Sequence, residues 1–307
     1  MQISTSILNS NNREDSIKKL NYTKTKYIHI DVMDGKFVED KQFTIDEIKK
    51  LNNISMKKLD IHLMVENPIE YIQKLDNLNI QYITFHIEVE KDINKTIDKI
   101  KELGYKVGIS IKPNTDINKL TPYLDKIDLI LIMSVEPGKG GQTFLPNTPN
   151  RIKKIKELIT NKNILLEVDG GINNETISKI GEANIAVVGS YITKSTDYVY
   201  KINNLSRGKI SIPFLVITII ISLLAIKHIL TPIDYDKCDY FCRESNIKTF
   251  YVVSLSWIST IFCMVYVDRL TNQIKKSKSQ KRIIIIGLTF SLLPWLVLFL
   301  QIIISLT

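Results

Sequence analysis

The chain has 307 residues, a formal net charge of +9 and a hydrophobic fraction of 44%. Its three cysteines are too few for a disulfide framework, and none lies in the first 237 residues, as expected for a reducing compartment. The excess positive charge comes from a basic segment near the C-terminus and from lysines dispersed among acidic residues. It therefore indicates solvated surfaces and gives no reason to expect a nucleic-acid partner.

Strand-like runs recur through the first two thirds of the chain, mostly with helical patterns between them. The runs are 2–6, 27–31, 58–64, 82–86, 106–111, 129–133, 164–169 and 185–188. The helical patterns include 69–75, 93–103, 150–159 and 174–180, each with a polar residue or proline near its start. Eight such units predict an α/β fold, a (β/α)8 TIM barrel over residues 1–207, with short loops because about 200 residues is small for this barrel.

Metal-capable side chains lie toward the ends of three of these strands. His29 and Asp31 are two residues apart in one strand, so both point to the same face. His62 and Asp169 can join them from other strands, because the active site of a TIM barrel lies at the carboxyl ends of its strands. Two carboxylates and two imidazoles at one edge indicate proton chemistry on a metal-bound substrate.

An ordered series of motifs resembles the ribulose-phosphate 3-epimerase family over nearly all of residues 1–205. The motifs are STSIL at 4–8, HIDVMDG at 29–35, DIHLMV at 60–65, KP at 112–113, MSVEPGKGGQ at 133–142, EVDGG at 167–171 and GS at 189–190. One short motif would be weak evidence, whereas the ordered series is specific. His86 also occupies a family position, but we expect a structural hydrogen bond there and leave it out of the metal site.

The resemblance implies an isomerase that interconverts D-ribulose 5-phosphate and D-xylulose 5-phosphate through an enediolate. It implies one divalent metal ion (zinc, iron, manganese or cobalt), with Asp31 as general base and Asp169 as general acid. The implied metal ligands are His29, Asp31, His62 and Asp169. Such chemistry needs two carboxyl groups on opposite sides of the substrate, because a proton leaves one face of the carbon and another returns to the opposite face.

Substrate binding is implied at glycines that follow the sixth, seventh and eighth strands, where backbone N–H groups can approach a phosphate closely. The implied substrate-binding residues are Ser6, His62, Gly138, Lys139, Gly140, Gly141, Asp169, Gly170, Gly171, Gly189 and Ser190. Four residues depart from the family pattern: Glu39 replaces a usual proline, Glu136 an asparagine, Lys139 an aromatic residue and Tyr191 a small one. These departures leave the exact ketose phosphate open, with allulose 6-phosphate as an alternative substrate.

The last third of the chain holds three long apolar segments, 212–230, 249–267 and 283–306. Each is long enough to cross a hydrocarbon core about 30 Å thick. The strongly basic segment 268–282 predicts a cytoplasmic loop, and the acidic segment 231–248 an outer one, in which Cys238 and Cys242 could be bonded, hold a metal or stay free. No secretory signal is apparent at the N-terminus.

These features predict a multi-pass cell-membrane protein with a membrane region over 208–307 and a catalytic domain in the cytoplasm. Two other interpretations stay open. A barrel without turnover could serve as a membrane sensor of sugar phosphates, although Asp31 and Asp169 are both retained. Two adjacent reading frames could also have been joined, which would give the membrane region an unrelated role. The sequence does not decide whether the barrels pair into a homo-oligomer.

Overall fold

The structure is a computed structural model that describes residues 1–89 and 92–206, together with residues 220 and 223. Contacts divide the chain into two units, Met1–Arg207 and Gly208–Thr307. Among the described residues, no helix is long and apolar enough to cross a membrane. The predicted spans 212–230, 249–267 and 283–306 lie outside the described residues, apart from Ile220 and Leu223.

The first unit is built from nine strands, seven α-helices and two short 3₁₀ helices among its described residues. In chain order they are β1 (Gln2–Ser6), α1 (Arg13–Asn21), β2 (Tyr27–Asp34), β3 (Lys41–Gln42), α2 (Ile45–Ile54), β4 (Lys58–Met64), α3 (Pro68–Ile72), β5 (Ile80–His86), α4 (Ile93–Glu102), β6 (Lys106–Ile111), a 3₁₀ helix (Ile117–Tyr123), β7 (Leu129–Met133), α5 (Thr148–Leu158), β8 (Leu165–Asp169), a 3₁₀ helix (Ile177–Ile180), β9 (Ile185–Val188), α6 (Ser190–Thr193) and α7 (Tyr198–Ser206).

Eight of the strands form a closed parallel barrel. The order of neighbours is β1, β9, β8, β7, β6, β5, β4 and β2, and pairing of β1 with β2 closes the ring. The register sets His29 beside Asp60 and Asp31 beside His62, and it sets Met133 beside Asp169. The predicted TIM barrel is thereby confirmed, and its register brings residues from distant motifs to one end.

Burial on both faces explains why the strands are rich in isoleucine, valine and leucine, because helices cover the outside and side chains fill the interior. All five residues of β7 are buried. Helix α4 shows the complementary pattern, with Ile97 and Ile100 buried, and its N-cap Asp92 accepts a hydrogen bond from the Lys95 N–H. The barrel interior is partly polar, since Ser4, Thr84, Ser110 and Glu167 are fully buried along with His29 and His62.

The structure differs most clearly from the predicted elements in two places. Strand β2 continues to Asp34 because Met33 and Asp34 pair with the short antiparallel strand β3. His29 therefore lies well inside its strand, and Asp31 is nearer the end. The predicted helix 174–180 is instead a 3₁₀ helix over Ile177–Ile180.

Candidate active site

A cavity of about 570 Å³ opens at the carboxyl ends of the barrel strands. Its wall includes the loops that follow β1, β7, β8 and β9, and Met33, Met64 and Met133 contribute an apolar lining. The volume lies within the range of about 300–1,000 Å³ that is usual for small-molecule sites. We call the cluster of His29, Asp31, His62 and Asp169 the floor of this cavity.

The floor brings all four predicted metal ligands together. One ligand atom from each of the four side chains lies within 4.8 Å of those of the other three. His29 Nδ1 donates a hydrogen bond to Asp60 Oδ2 at 2.8 Å, so in the neutral ring Nε2 carries the lone pair that could bind a metal. That nitrogen is buried and has no hydrogen-bond partner among the described residues. Two imidazoles and two carboxylates in this arrangement fit a divalent transition metal such as zinc, iron, manganese or cobalt.

The two carboxyl groups of the floor have opposite electrostatic environments. Burial opposes ionisation of Asp31, but the neighbouring His29 and His62 outweigh it and lower the pKa of Asp31 below its usual range. Ser6 Oγ also donates to Asp31 Oδ2 at 2.8 Å. Burial and then the negative charge of Asp31 raise the pKa of Asp169 to about 7. Near neutral pH this arrangement offers one ionised carboxylate and one carboxyl group able to hold a proton.

A second polar layer lies beneath the floor and was not predicted as part of the site. Asp60 Oδ2 accepts hydrogen bonds from His29 Nδ1 and from Ser4 Oγ, the latter at 2.7 Å. Glu167 is fully buried, and burial followed by the charge of Asp60 raises its pKa well above the usual range. Strand alternation could have identified this layer, because Asp60 precedes His62 by two residues and Glu167 precedes Asp169 by two.

His86 lies beside the floor and is fully buried. Its Nε2 is 3.0 Å from His62 Nε2, and its Nδ1 is 3.0 Å from Glu88 Oε2. The Phe37 ring is stacked at a tilt on the His86 ring, with centroids 4.7 Å apart. The hydrogen bonding expected for His86 is therefore present, but its partner is a predicted metal ligand.

The other wall of the cavity is formed by glycine-rich loops. Gly170 and Gly171 adopt positive φ angles of 117° and 63°. A Cβ atom on Gly171 would lie 2.4 Å from the backbone nitrogen of Phe144, so no larger residue fits without moving the loop. Ser134 Oγ lies 2.6 Å from the carbonyl oxygens of both Asp169 and Gly170, which ties the loop after β7 to the loop after β8.

Three further contacts join the loops around the opening, which we call the mouth. Asn9 Nδ2 donates to Ser190 Oγ at 3.0 Å, and a Cβ on Gly140 would lie within 2.3 Å of the same amide nitrogen. Lys139 Nζ is 3.5 Å from Glu39 Oε2. Two of the four departures from the family pattern thus meet as an ion pair. Asn9 was missed because nothing in its immediate sequence indicates a site residue.

The predicted site residues fall into two groups. Those that line the cavity are Ser6, Asp31, Gly138, Lys139, Gly140, Gly141, Asp169, Gly170, Gly171, Gly189 and Ser190. His29 and His62 are fully buried and belong to the floor through their ring nitrogens.

Comparison with known proteins gives consistent matches to the barrel. The model described as "Ribulose-phosphate 3 epimerase family" matches residues 2–193. The ribulose-phosphate 3-epimerase of Buchnera aphidicola subsp. Baizongia pistaciae is 40% identical over 178 residues, which cover 56% of this chain and 78% of that protein. The Bacillus subtilis protein of the same name is 33% identical over 187 residues, covering 59% of this chain and 86% of that one. A solved structure of Mycobacterium tuberculosis tryptophan synthase shares the fold alone, with a TM-score of 0.50 and 9% identity over 67% of this chain and 91% of its own.

Proposed function

Because this chain belongs to the ribulose-phosphate 3-epimerase family and is an epimerase, we propose that it interconverts D-ribulose 5-phosphate and D-xylulose 5-phosphate. The observation that carries this proposal is the position of Asp31 and Asp169 on the same floor, next to glycine-rich loops suited to a phosphate. Inverting a carbon beside a ketone requires an acid and a base at that carbon, and a phosphorylated ketopentose offers both the ketone and the anion.

Asp31 removes the proton from carbon 3, which leaves an enediolate. Its lowered pKa keeps it ionised and ready to accept that proton, and the Ser6 hydroxyl holds its carboxylate in place. Asp169, whose pKa is raised to about 7 by burial and by Asp31 when no metal is bound, returns a proton to the other face of the carbon. In the reverse direction the two residues exchange roles, as microscopic reversibility demands.

A divalent cation held by His29, Asp31, His62 and Asp169 would supply positive charge beside the oxygens on which negative charge develops. Met33, Met64 and Met133 contribute an apolar surface without strong hydrogen-bond donors, which limits stray protonation of the enediolate. The phosphate lies at the loops containing Gly140, Gly171 and Ser190, where small residues leave room for an anion.

Epimerisation of ribulose 5-phosphate by the full chain, with and without a chelator, tests the proposal. We expect turnover that the chelator removes and that one of zinc, iron, manganese or cobalt restores. Faster turnover of allulose 6-phosphate would identify that sugar as the substrate and would leave the proposed mechanism unchanged. Binding of ketose phosphates without turnover of any of them would favour the sensor.

We also propose that residues 208–307 hold the enzyme in the cell membrane with its barrel in the cytoplasm. Support comes from the three apolar segments and the basic segment 268–282 in the sequence. Alkaline extraction of membranes should leave the full chain in the pellet. In intact cells, a membrane-impermeant thiol reagent should label Cys238 and Cys242 after reduction. Recovery of the chain in the soluble fraction would contradict this placement.

A further inference from the structure

Three side chains form a continuous hydrogen-bonded line that leads away from the floor. Glu88 Oε2 is 3.0 Å from His86 Nδ1, and His86 Nε2 is 3.0 Å from His62 Nε2. His62 Nδ1 then faces Asp31 Oδ1 at 3.2 Å, inside the metal cluster. The line therefore begins at a carboxylate outside the floor and ends at a proposed metal ligand.

The far end of the line is firmly held. Glu88 Oε1 accepts a hydrogen bond from the Lys112 backbone N–H at 2.7 Å and another from the Thr115 hydroxyl. These donors fix the carboxylate so that its second oxygen faces His86. The Phe37 ring covers one face of His86, and both His62 and His86 are fully buried. Neither imidazole is free to turn toward solvent for a different partner.

Proton positions follow from the donor and acceptor capacity of each group. A carboxylate only accepts, so His86 must carry its proton on Nδ1, and in the neutral ring its Nε2 is then a lone pair. That lone pair needs a donor, which must be the Nε2–H of His62. With a metal bound, His62 Nδ1 and Asp31 Oδ1, which lie 3.2 Å apart, would both be ligands, so His62 would have no proton on Nδ1 and its lone pair would point into the floor. A metal can be bound only by this tautomer of His62.

We propose that Glu88 and His86 are positioning residues that fix the tautomer of His62 for metal binding. The inference rests on the metal site of the proposed function and assigns roles to two residues that touch neither metal nor substrate. His29 obtains the same result by a shorter route, because its Nδ1 donates directly to Asp60 and leaves Nε2 for the metal. Each proposed ligand histidine thus has its own carboxylate partner. One hydrogen bond joins His29 to Asp60, and two hydrogen bonds, through His86, join His62 to Glu88.

Nitrogen NMR of the full chain tests the proton positions without any substitution. The chain has four histidines, so ¹⁵N-labelled histidine gives a spectrum simple enough to assign. In the zinc-loaded protein we expect a proton on Nε2 of His62 and on Nδ1 of His86, with no proton on the other nitrogen of either ring. A proton on His86 Nε2, or both nitrogens of His86 protonated, would overturn the proposal.

Glu88→Gln should reverse the direction of donation in each hydrogen bond of the line from Glu88 through His86 to His62. The Lys112 N–H always donates, so the amide oxygen of glutamine must occupy the Oε1 position, and its NH₂ group then faces His86 Nδ1. His86 would move its proton to Nε2, and His62 would be left with a proton on Nδ1, against the metal. Loss of such an outer partner costs about 10- to 100-fold in metal affinity. We therefore expect zinc affinity, measured by competition with a chelator, to fall by this factor.

Two controls separate this effect from a general loss of charge or packing. Glu102→Gln on α4 makes the same substitution at an exposed residue and should leave zinc affinity unchanged. His86→Phe keeps a ring against Phe37 but cuts the line, so adding Glu88→Gln to it should produce no further loss of zinc affinity. Equal losses from Glu88→Gln in both backgrounds would show that Glu88 acts through packing and would overturn the proposal.

The result is distinguishable from failure of the proposed function. Zinc affinity and the NMR signals are read without turnover, so an inactive wild type that still binds zinc leaves the tautomer test intact. A wild type that turns over ribulose 5-phosphate, with unchanged zinc affinity in Glu88→Gln, would overturn only the role of Glu88 and His86.

Discussion

At the floor of the candidate active site, His29, Asp31 and His62 are buried, with Asp31 Oδ1 3.3 Å from His29 Nε2 and 3.2 Å from His62 Nδ1, whereas at the mouth the side chains of Glu39 and Lys139 are 88% and 64% exposed. The floor residues come from the barrel strands, whose register fixes them relative to one another. The mouth residues come from loops that meet only through side chains. The contrast separates the groups to which we assign the proton transfers from those that border the opening of the cavity.

The floor and the mouth also differ in how much stabilisation a substitution should remove. A charge buried at the floor is stabilised only by its partners, so removal of one partner leaves the other without compensation. An exposed ion pair at the mouth competes with water and salt and contributes little. Substitutions should therefore have effects that decrease from the floor to the mouth.

Asp31→Asn and Asp169→Asn should have the largest effects. Each removes one of the two groups to which we assign proton transfer, a contribution worth about 10²- to 10⁴-fold. We expect kcat for ribulose 5-phosphate to fall by this factor in either variant. Asp98→Asn on α4, which is exposed, is the matched control and should retain full activity. A variant at either floor residue with more than a tenth of wild-type kcat would contradict its assignment.

Gly171→Ala should have an intermediate effect on activity, because Gly171 lies in the loop directly after β8, between the floor and the mouth. Gly104 has a similar positive φ, 75° against 63°, but a Cβ there would meet nothing within 4 Å. Both alanine variants incur a backbone strain of about 1–3 kcal/mol. Only Gly171→Ala should also displace a loop of the cavity, with up to about 100-fold lower kcat/KM. Equal kcat/KM in the two variants, beside equal losses of Tm, would show that the loop tolerates the clash.

Asn9→Ala should have a smaller effect that is confined to binding. It removes the hydrogen bond to Ser190, and a neutral bond of this kind contributes about 0.5–1.5 kcal/mol. We expect KM to rise about two- to tenfold with kcat unchanged, and the exposed Asn118→Ala to change neither. A fall in kcat alone would mean that Asn9 affects the floor and would weaken the contrast between the two regions.

The same contrast describes what could be predicted from the sequence. The eight barrel strands were predicted because continuous isoleucine, valine and leucine runs are a local signal, and the clustering of the four floor residues because they stand on those strands. Strand β3 has only two residues, Lys41 and Gln42, and exists through its pairing with β2. Neither residue is apolar, so the sequence carries no local signal for this strand.

The rest of the site depends on register and on loop packing. His86 and His62 meet because β4 and β5 are neighbours with a particular stagger, which no local pattern specifies. Glu88 joins them through a loop after β5. The pairing of Glu39 with Lys139 joins residues 100 positions apart, and each appears in the sequence only as a departure from the family pattern.

The ion pair of Glu39 and Lys139 should have the smallest effect and tests the contrast most closely. A double-mutant cycle with Glu39→Gln and Lys139→Gln should give a coupling of no more than about 1 kcal/mol in kcat/KM, because both side chains are exposed. The coupling should vanish at about 1 M salt, where the Debye length is about 3 Å. A larger coupling that survives salt would mean that the pair is desolvated when substrate binds. The ion pair of Glu39 and Lys139 would then become buried during turnover, and the difference in exposure between the mouth and the floor would hold only for the free enzyme.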